Sequence, residues 1–291
     1  MIRTRAVDGY DALTLTGEGG LAATFVPGAG MVGCSLRDGG AELLGQRRGL
    51  GAYVAKGSTM GIPLLYPWAN RLSRDRFGLG GREVDLGVPG LRLKRDANGL
   101  AMHGLLTAAP GWRVDEHRST DKGGVLRASF AFGGDGPLLA AFPFPHEVRY
   151  VAELTARTLT IALTVEPTGD VSVPIAFGFH PYLSLPGVPR AEWLLEAPVA
   201  TRLALDERGL PTGAREPAGP EAGPGGGRRI ELAFLAGYPY AQLYAPADDP
   251  LIAIEPMTAP TDALATGGHL PFAAPGESFT ARFRLAVAEA A

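Results

Sequence analysis

The sequence holds a single cysteine, Cys34, in 291 residues. One thiol excludes an intrachain disulfide and any Cys-x-x-Cys metal knuckle. No run of about 18 apolar residues occurs, which excludes an ordinary transmembrane helix. Met1–Tyr10 carries charges with no apolar stretch behind them, so no secretory leader is expected and a cytoplasmic location is the default. An excess of either charge sign is also missing. The 27 basic and 30 acidic residues are interspersed and give a formal net charge of −3. Without a basic run, neither nucleic acid nor an anionic membrane is an expected partner. A Walker A loop and a Gly-x-Ser-x-Gly elbow are absent as well.

What the chain does have is apolar mass and backbone punctuation. Hydrophobic residues make up 46% and charged residues 20%, enough for a sizeable core and too apolar for global disorder. The 41 glycines and 25 prolines are spread over the whole length. Glycine loses backbone entropy in a helix and proline removes a donor, so long helices are disfavoured. Between these breakers lie short strand-like runs: Leu13–Thr16, Leu21–Val26, Val125–Phe132, Glu147–Leu154, Leu159–Val165, Ala241–Tyr244, Leu251–Ile254 and Phe279–Val287. Thr158–Val165 alternates polar and apolar residues, the period of a half-buried strand. No segment offers a four-turn amphipathic helix. The expectation is an all-β protein, a large β-sandwich in one domain spanning 1–291. A Pro-, Gly- and charge-rich stretch at 206–229 is read as a surface loop rather than an interdomain linker.

Two motifs fail on physical grounds. Gly28-Ala29-Gly30-Met31-Val32-Gly33 fits Gly-x-Gly-x-x-Gly, but a dinucleotide site needs a helix N-terminus facing the pyrophosphate. Here the continuation is strand-like and soon meets Asp38-Gly39-Gly40, so a glycine-rich hairpin connection is expected. His146-Glu147 opens like a zincin helix, yet Tyr150 stands where the second histidine belongs. The five histidines are far apart in sequence; a metal site assembled by the fold stays open, but no local spacing supports one.

Four segments combine ionisable residues with tight apolar, Pro or Gly framing. In Gly61–Leu72 an apolar run closes on Trp68-Ala69-Asn70-Arg71. Trp stacks on sugar faces while Asn and Arg donate to hydroxyls; core packing and a surface arginine is the plain alternative. In Ala101–Leu106, His103 stands beside Gly104 and reads as structural on its own. In Pro174–Tyr182, His180 caps an aromatic stretch, held by Pro181 and two residues from the Tyr182 phenol. That framing partly desolvates an imidazole whose pKa is already near neutral. In Leu251–Leu264, Glu255 ends an apolar strand before Pro256. A carboxylate there is costly unless paired or used. Together His180 and Glu255 supply an acid and a base, the minimum for proton-transfer catalysis.

In this order, Asn70-Arg71, His103-Gly104, His180-Pro181-Tyr182 and Glu255-Pro256 resemble the motifs of the aldose 1-epimerase (galactose mutarotase) family. Phe144-Pro145-His146-Glu147 and Pro275-Gly276-Glu277 resemble further family segments, the former structural and the latter leading into a final strand. Trp68-Ala69-Asn70-Arg71 is more similar to less characterised branches of that family. The resemblance spans nearly the whole chain. It implies a mutarotase-type β-sandwich with an open sugar cleft, no metal and no cofactor. It also implies roles: Glu255 as general base on the C1 hydroxyl, His180 as general acid on the ring oxygen, His103 sharing in polarising that oxygen. Arg71 would hold hydroxyls and Asn70 would position the Arg71 loop. Where well-studied members have an Asp-x-x-Phe segment that binds hydroxyls, this sequence has Glu231-Leu232-Ala233-Phe234, so Glu231 is a further substrate-binding candidate. The implied activity is an isomerase that interconverts the anomers of an aldose. The expected partner is a small sugar, bound by a monomer or weak homodimer. Alternatives are a non-catalytic sugar-binding protein on the same fold, a hexose-6-phosphate epimerase drawing on Arg74 and Arg76, and a glycoside-cleaving enzyme. The last employs two carboxylates across the bond, and only one strong carboxylate is in evidence.

Overall fold

The computed structural model describes residues 4–218, 228–246 and 248–289. Antiparallel strands dominate them. A five-stranded meander runs through Thr4–Val7, Tyr10–Thr16, Leu21–Val26, Val32–Asp38 and Ala41–Glu42. A six-stranded sheet has the spatial order Arg228–Ala236, Phe279–Glu289, Thr158–Pro167, His146–Thr155, Gly123–Phe132, Arg113–Thr120. The meander strand Tyr10–Thr16 packs against the last two of these and against His146–Thr155. The longest described helix, Gly49–Lys56, has 8 residues. The fold is mostly β, as the glycine and proline content predicts.

Period-two alternation sets the register. In Thr158–Pro167, Leu159, Ile161, Leu163 and Val165 are all buried while the threonines between them are half-buried. Ile161 stands opposite Ala152 on one side and Phe283 on the other. A one-residue slip would carry this apolar set out of the core, so the register is strongly specified. Each such side chain contributes about 1.5–3 kcal/mol by leaving water. One cluster of buried side chains runs from Leu13 in the meander to Val287 in the last strand.

A third sheet is assembled from fragments. Ile252–Met257 is its spine, paired with Tyr240–Tyr244 on one side and with Gly178–Phe179 and Tyr182–Leu183 on the other; Leu64–Leu65 pairs with Gly178–Phe179. The fragments are short because Pro63, Pro67 and Pro181 flank them, each lacking a donor. The spine runs from Ile252 through Pro256, so Glu255 lies inside a strand rather than at its end.

Two other sequence readings meet the structure here. Gly28–Gly33 is a connection between antiparallel strands: a turn at Pro27–Ala29, left-handed Gly30 and Met31, then strand Val32–Asp38, with no helix following. The 206–229 stretch is not all loop. Pro211–Pro217 pairs with Thr201–Leu205 in a hairpin, and a sheet strand begins at Arg228. Residues 219–227 lie outside those described. The alternating apolar and polar pattern that marks strands elsewhere is absent from Pro211–Pro217, because its residues are mostly exposed.

Candidate active site

Alternation along Ile252–Met257 puts Ala253, Glu255 and Met257 on one face and Ile254 on the other, against the main core. The Glu255 side chain is 2% exposed. Its Oε1 lies 3.1 Å from Nε2 of His180, whose side chain is 6% exposed. Its Oε2 accepts from Nδ2 of Asn70 at 3.4 Å, and the same amide reaches Met257 Sδ at 3.2 Å.

His180 stands where Pro181 separates two strand fragments. Its backbone N–H donates to the Pro63 carbonyl at 3.1 Å, and the Tyr182 N–H donates to the Gly61 carbonyl at 2.9 Å. The imidazole stacks on the Tyr182 ring with centroids 4.2 Å apart and planes 19° apart. The phenol oxygen is 3.3 Å from Nε2 and 2.6 Å from Thr59 Oγ1. His103 meets His180 edge to face, with centroids 5.5 Å apart. Nδ1 of each histidine is buried with no hydrogen-bond partner among the described residues.

Asn70 and His103 are both left-handed, with φ of 56° and 67°. Such backbone is uncommon without glycine and clusters at functional sites. The two are locked together: the His103 N–H donates to the Asn70 carbonyl at 2.9 Å, Leu72 N–H donates to Ala101 O at 2.9 Å, and Arg71 bridges Met102. Arg71 Nε donates to Asp96 at 2.7 Å. Asp96 is fixed in turn by the backbone N–H groups of Asn98 and Leu100.

Burial governs the electrostatics. It pushes the Glu255 carboxyl above the usual carboxylate range, opposed by the Arg71 charge and the Asn70 hydrogen bond. It holds the His180 imidazole well below its ordinary value, and His103 likewise, with the charge of His180 adding to the effect on His103. Two buried groups 3.1 Å apart, each resisting its charged form, are an acid–base pair poised to share one proton.

The structure therefore gathers Asn70, His103, His180 and Glu255, with Arg71 beside them through its charge on Glu255 and His103. It does not bring Glu231 in. That residue sits on the edge strand of the six-stranded sheet, its side chain 48% exposed and paired with Arg284 at 2.9 Å. Asn70 does more than steady a loop: it touches the carboxylate. Trp68 is 1% exposed in the core, so it is not a sugar platform. Arg74 donates to the Ala265 carbonyl, and Arg76 pairs with Asp85 and Glu83 on a surface hairpin. His146 is a core residue, bonded to Tyr66 Oη and the Phe144 carbonyl and stacked on Phe132.

Three neighbours escaped sequence reading. Arg47 donates to Tyr182 Oη at 3.2 Å and lies over the rings of Tyr182 and Tyr244. Tyr244 is 39% exposed and edge-on to His180. Lys94 is half-buried, and its charge reaches Glu255, His180 and His103. Arg47 and Lys94 stand in charged runs, Arg47-Arg48 and Lys94-Arg95-Asp96, that read as solvated surface. Among the described residues, no cluster of three or more His, Cys, Asp or Glu is placed to hold a metal ion. No described helix is long and apolar enough to cross a membrane.

Comparison with known proteins decides the family. The family model for aldose 1-epimerase matches residues 11–219. The chain belongs to the aldose 1-epimerase family. A curated relative, the uncharacterised protein YihR of Escherichia coli K12, is 29% identical over 150 residues, covering 51% of this chain and 44% of YihR. The match thus spans less than half the length of that relative. A galactose mutarotase-like protein from Clostridium acetobutylicum superposes with a TM-score of 0.85 at 16% identity, covering 100% of this chain and 99% of that one. Galactose 1-epimerase from Lactobacillus acidophilus gives 0.75 at 15% identity, covering 100% and 98%. At such identities the likeness speaks for the fold, which is galactose mutarotase-like along the full chain.

Proposed function

We propose that this member of the family is itself an aldose 1-epimerase, folded as one domain, that interconverts the α and β anomers of an aldose. The observation that carries this reading is the buried contact between His180 Nε2 and Glu255 Oε1 at 3.1 Å. A hemiacetal presents two oxygens on one carbon, the C1 hydroxyl and the ring oxygen. An adjacent base and acid can address both at once.

The Glu255 carboxylate takes the proton of the C1 hydroxyl. The O–H electron pair becomes the C1=O π bond, the C1–O5 bond breaks, and O5 takes the proton of the His180 imidazolium. Rotation about C1–C2 presents the other face of the aldehyde, and the same transfers in reverse close the ring. The protein starts with an ionic pair, carboxylate and imidazolium, and passes to a neutral one without net gain or loss of a proton. Burial disfavours both charges, raising the Glu255 carboxyl to about 8 and lowering the His180 imidazole to about 3, so the neutral pair is the resting arrangement of the one proton and the ionic pair is the reactive one. Moving that proton across 3.1 Å from the carboxyl to the imidazole supplies the base and the acid together. His103 and Arg71 would bind the ring oxygen and hydroxyls, and Tyr244 would lie against an apolar sugar face. Asn70 positions the base.

Glycoside cleavage fits less well, because inverting and retaining glycosidases place two carboxyl groups about 5–9.5 Å apart across the bond. The nearby Asp96 and Asp249 are occupied by Arg71 and Arg47. A panel of freshly dissolved single anomers, followed by polarimetry or NMR, tests the proposal. The protein is expected to accelerate equilibration of at least one aldose well above the buffer rate. Buffer-rate equilibration across free and phosphorylated aldoses would leave a sugar-binding protein as the better reading.

A further inference from the structure

We propose that Lys94 anchors an anionic substituent, so that the sugar taken by this site is an aldose bearing a carboxylate, sulfate or phosphate group rather than a neutral hexose. The inference rests on the epimerase reading above and names its substrate class.

The position of Lys94 is fixed by backbone contacts with the site. The Met102 N–H donates to the Lys94 carbonyl at 2.9 Å, and Arg95 bridges Ala101, so this stretch lies along the segment that carries His103. The aliphatic stem packs over Gly57, where an added Cβ would meet Lys94 Cδ at 3.5 Å. Gly57 closes the helix Gly49–Lys56, and Thr59, two residues on, holds the Tyr182 phenol. The stem of Lys94 is thus held between the segment that carries His103 and the turn that leads to Thr59.

The charges around it balance except for this one. Arg71 is matched by Asp96 at 2.7 Å, Arg47 by Asp249 at 3.6 Å, and Glu255 by His180 at 3.1 Å. Among the described residues Lys94 has no ion-pair or hydrogen-bond partner for its ammonium. It is nevertheless half-buried, and burial together with the charges of Arg47 and Arg71 lowers its pKa to about 8. A half-buried cation repelled by two like charges gains from an anion that approaches it. Glu255 is not that anion in the main, since Arg71 and Asn70 act on it more strongly than Lys94 does. A neutral aldose would leave the excess charge unmatched. An oxyanion on the sugar would match it, with Arg47 available as a second donor because its own ion pair is long and half-exposed.

The test compares glucose with glucuronate, glucose 6-sulfate and glucose 6-phosphate as substrates at low ionic strength. At least one of the three anions is expected to exceed glucose in kcat/KM by about tenfold or more, the scale of one charge-assisted hydrogen bond. The best of them identifies the substituent. In Lys94→Met the anion-to-glucose ratio is expected to collapse toward one through a raised KM, while Lys94→Arg keeps most of it. A ratio of one in the wild type, or a ratio that Lys94→Met leaves unchanged, overturns the proposal; in the second case Lys94 serves Glu255 alone. Calorimetric binding of the same four sugars separates this from the epimerase reading. If no aldose is turned over, tighter binding of an anion that is lost in Lys94→Met still supports the anchor. Equal binding of all four refutes it.

Discussion

At the scale of single residues, His180 and Glu255 lie 3.1 Å apart, and burial acts on the two in opposite directions. Free histidine and glutamate would hold one proton between them only from about pH 4.3 to 6.5. With the carboxyl raised and the imidazole lowered, the one-proton state extends further both ways. The pH profile of kcat/KM should therefore be a broad plateau that includes neutrality. It falls at alkaline pH as the pair loses its proton, and at acid pH as it takes up a second. A narrow bell centred near pH 5.5 would show that the pair is solvated. The same burial makes a stability prediction. The native state holds the Glu255 proton more tightly than the unfolded chain does. Stability from this group is thus present at low pH and is lost as pH rises from the ordinary carboxylate value through the raised native one. Glu255→Gln removes that loss, so its Tm should exceed the wild-type Tm by a margin that grows toward alkaline pH. Differential scanning calorimetry across pH reads this directly, and a constant or negative margin would contradict it. His180 and Glu255 were legible in the sequence because Pro framing and an apolar approach mark an ionisable group that is not at the surface. Arg47 and Lys94 were not, because a charged run looks the same whether it faces water or a site.

At the scale of elements, the site hangs on short fragments held by tight backbone contacts. Gly104 shows how little room there is. It has a φ of 74°, and an added Cβ would meet the Tyr66 carbonyl oxygen at 2.1 Å. Both the conformation and the space demand glycine. Gly104→Ala is expected to cost more than about 2 kcal/mol, combining strain with displacement of backbone. Urea unfolding should show a lower midpoint with an unchanged slope. A midpoint equal to wild type would mean that the 102–104 turn yields freely. Long strands were legible from alternation: Leu21–Val26 matches to the residue, and Thr158–Pro167 extends the expected run by one residue and two. The two-residue fragments around His180 were not, since two residues carry no period. Trp68 misled for a related reason. An aromatic beside Asn-Arg reads the same whether it lines a cleft or fills the core, and only the three-dimensional packing places it at 1% exposure.

At the scale of the whole molecule, two large sheets and one continuous core hold the third sheet in place, and the site belongs to the third. Glu231 belongs to the outer edge of a large sheet, where it pairs with an exposed arginine. An exposed pair of that kind contributes about 0–1 kcal/mol. Glu231→Ala should consequently leave kcat/KM within about twofold of wild type, within the effect expected of a surface change. A loss of more than tenfold would mean that the strand Arg228–Ala236 reaches the sugar after all. The resemblance in the sequence around Glu231 is to a motif, and a motif carries no information about which sheet its strand joins. The general architecture was legible because composition constrains it: abundant glycine and proline leave little for helices, and alternation fixes the strands.

The account stands most directly on the proton shared by His180 and Glu255. Anomer equilibration of the best aldose, measured by NMR exchange for wild type, His180→Asn and Glu255→Gln, tests it. Each substitution should reduce the catalysed rate by about 10²- to 10⁴-fold, the usual contribution of a general acid or base, with the folded structure retained by circular dichroism. Variants that equilibrate the anomers as fast as wild type would contradict it.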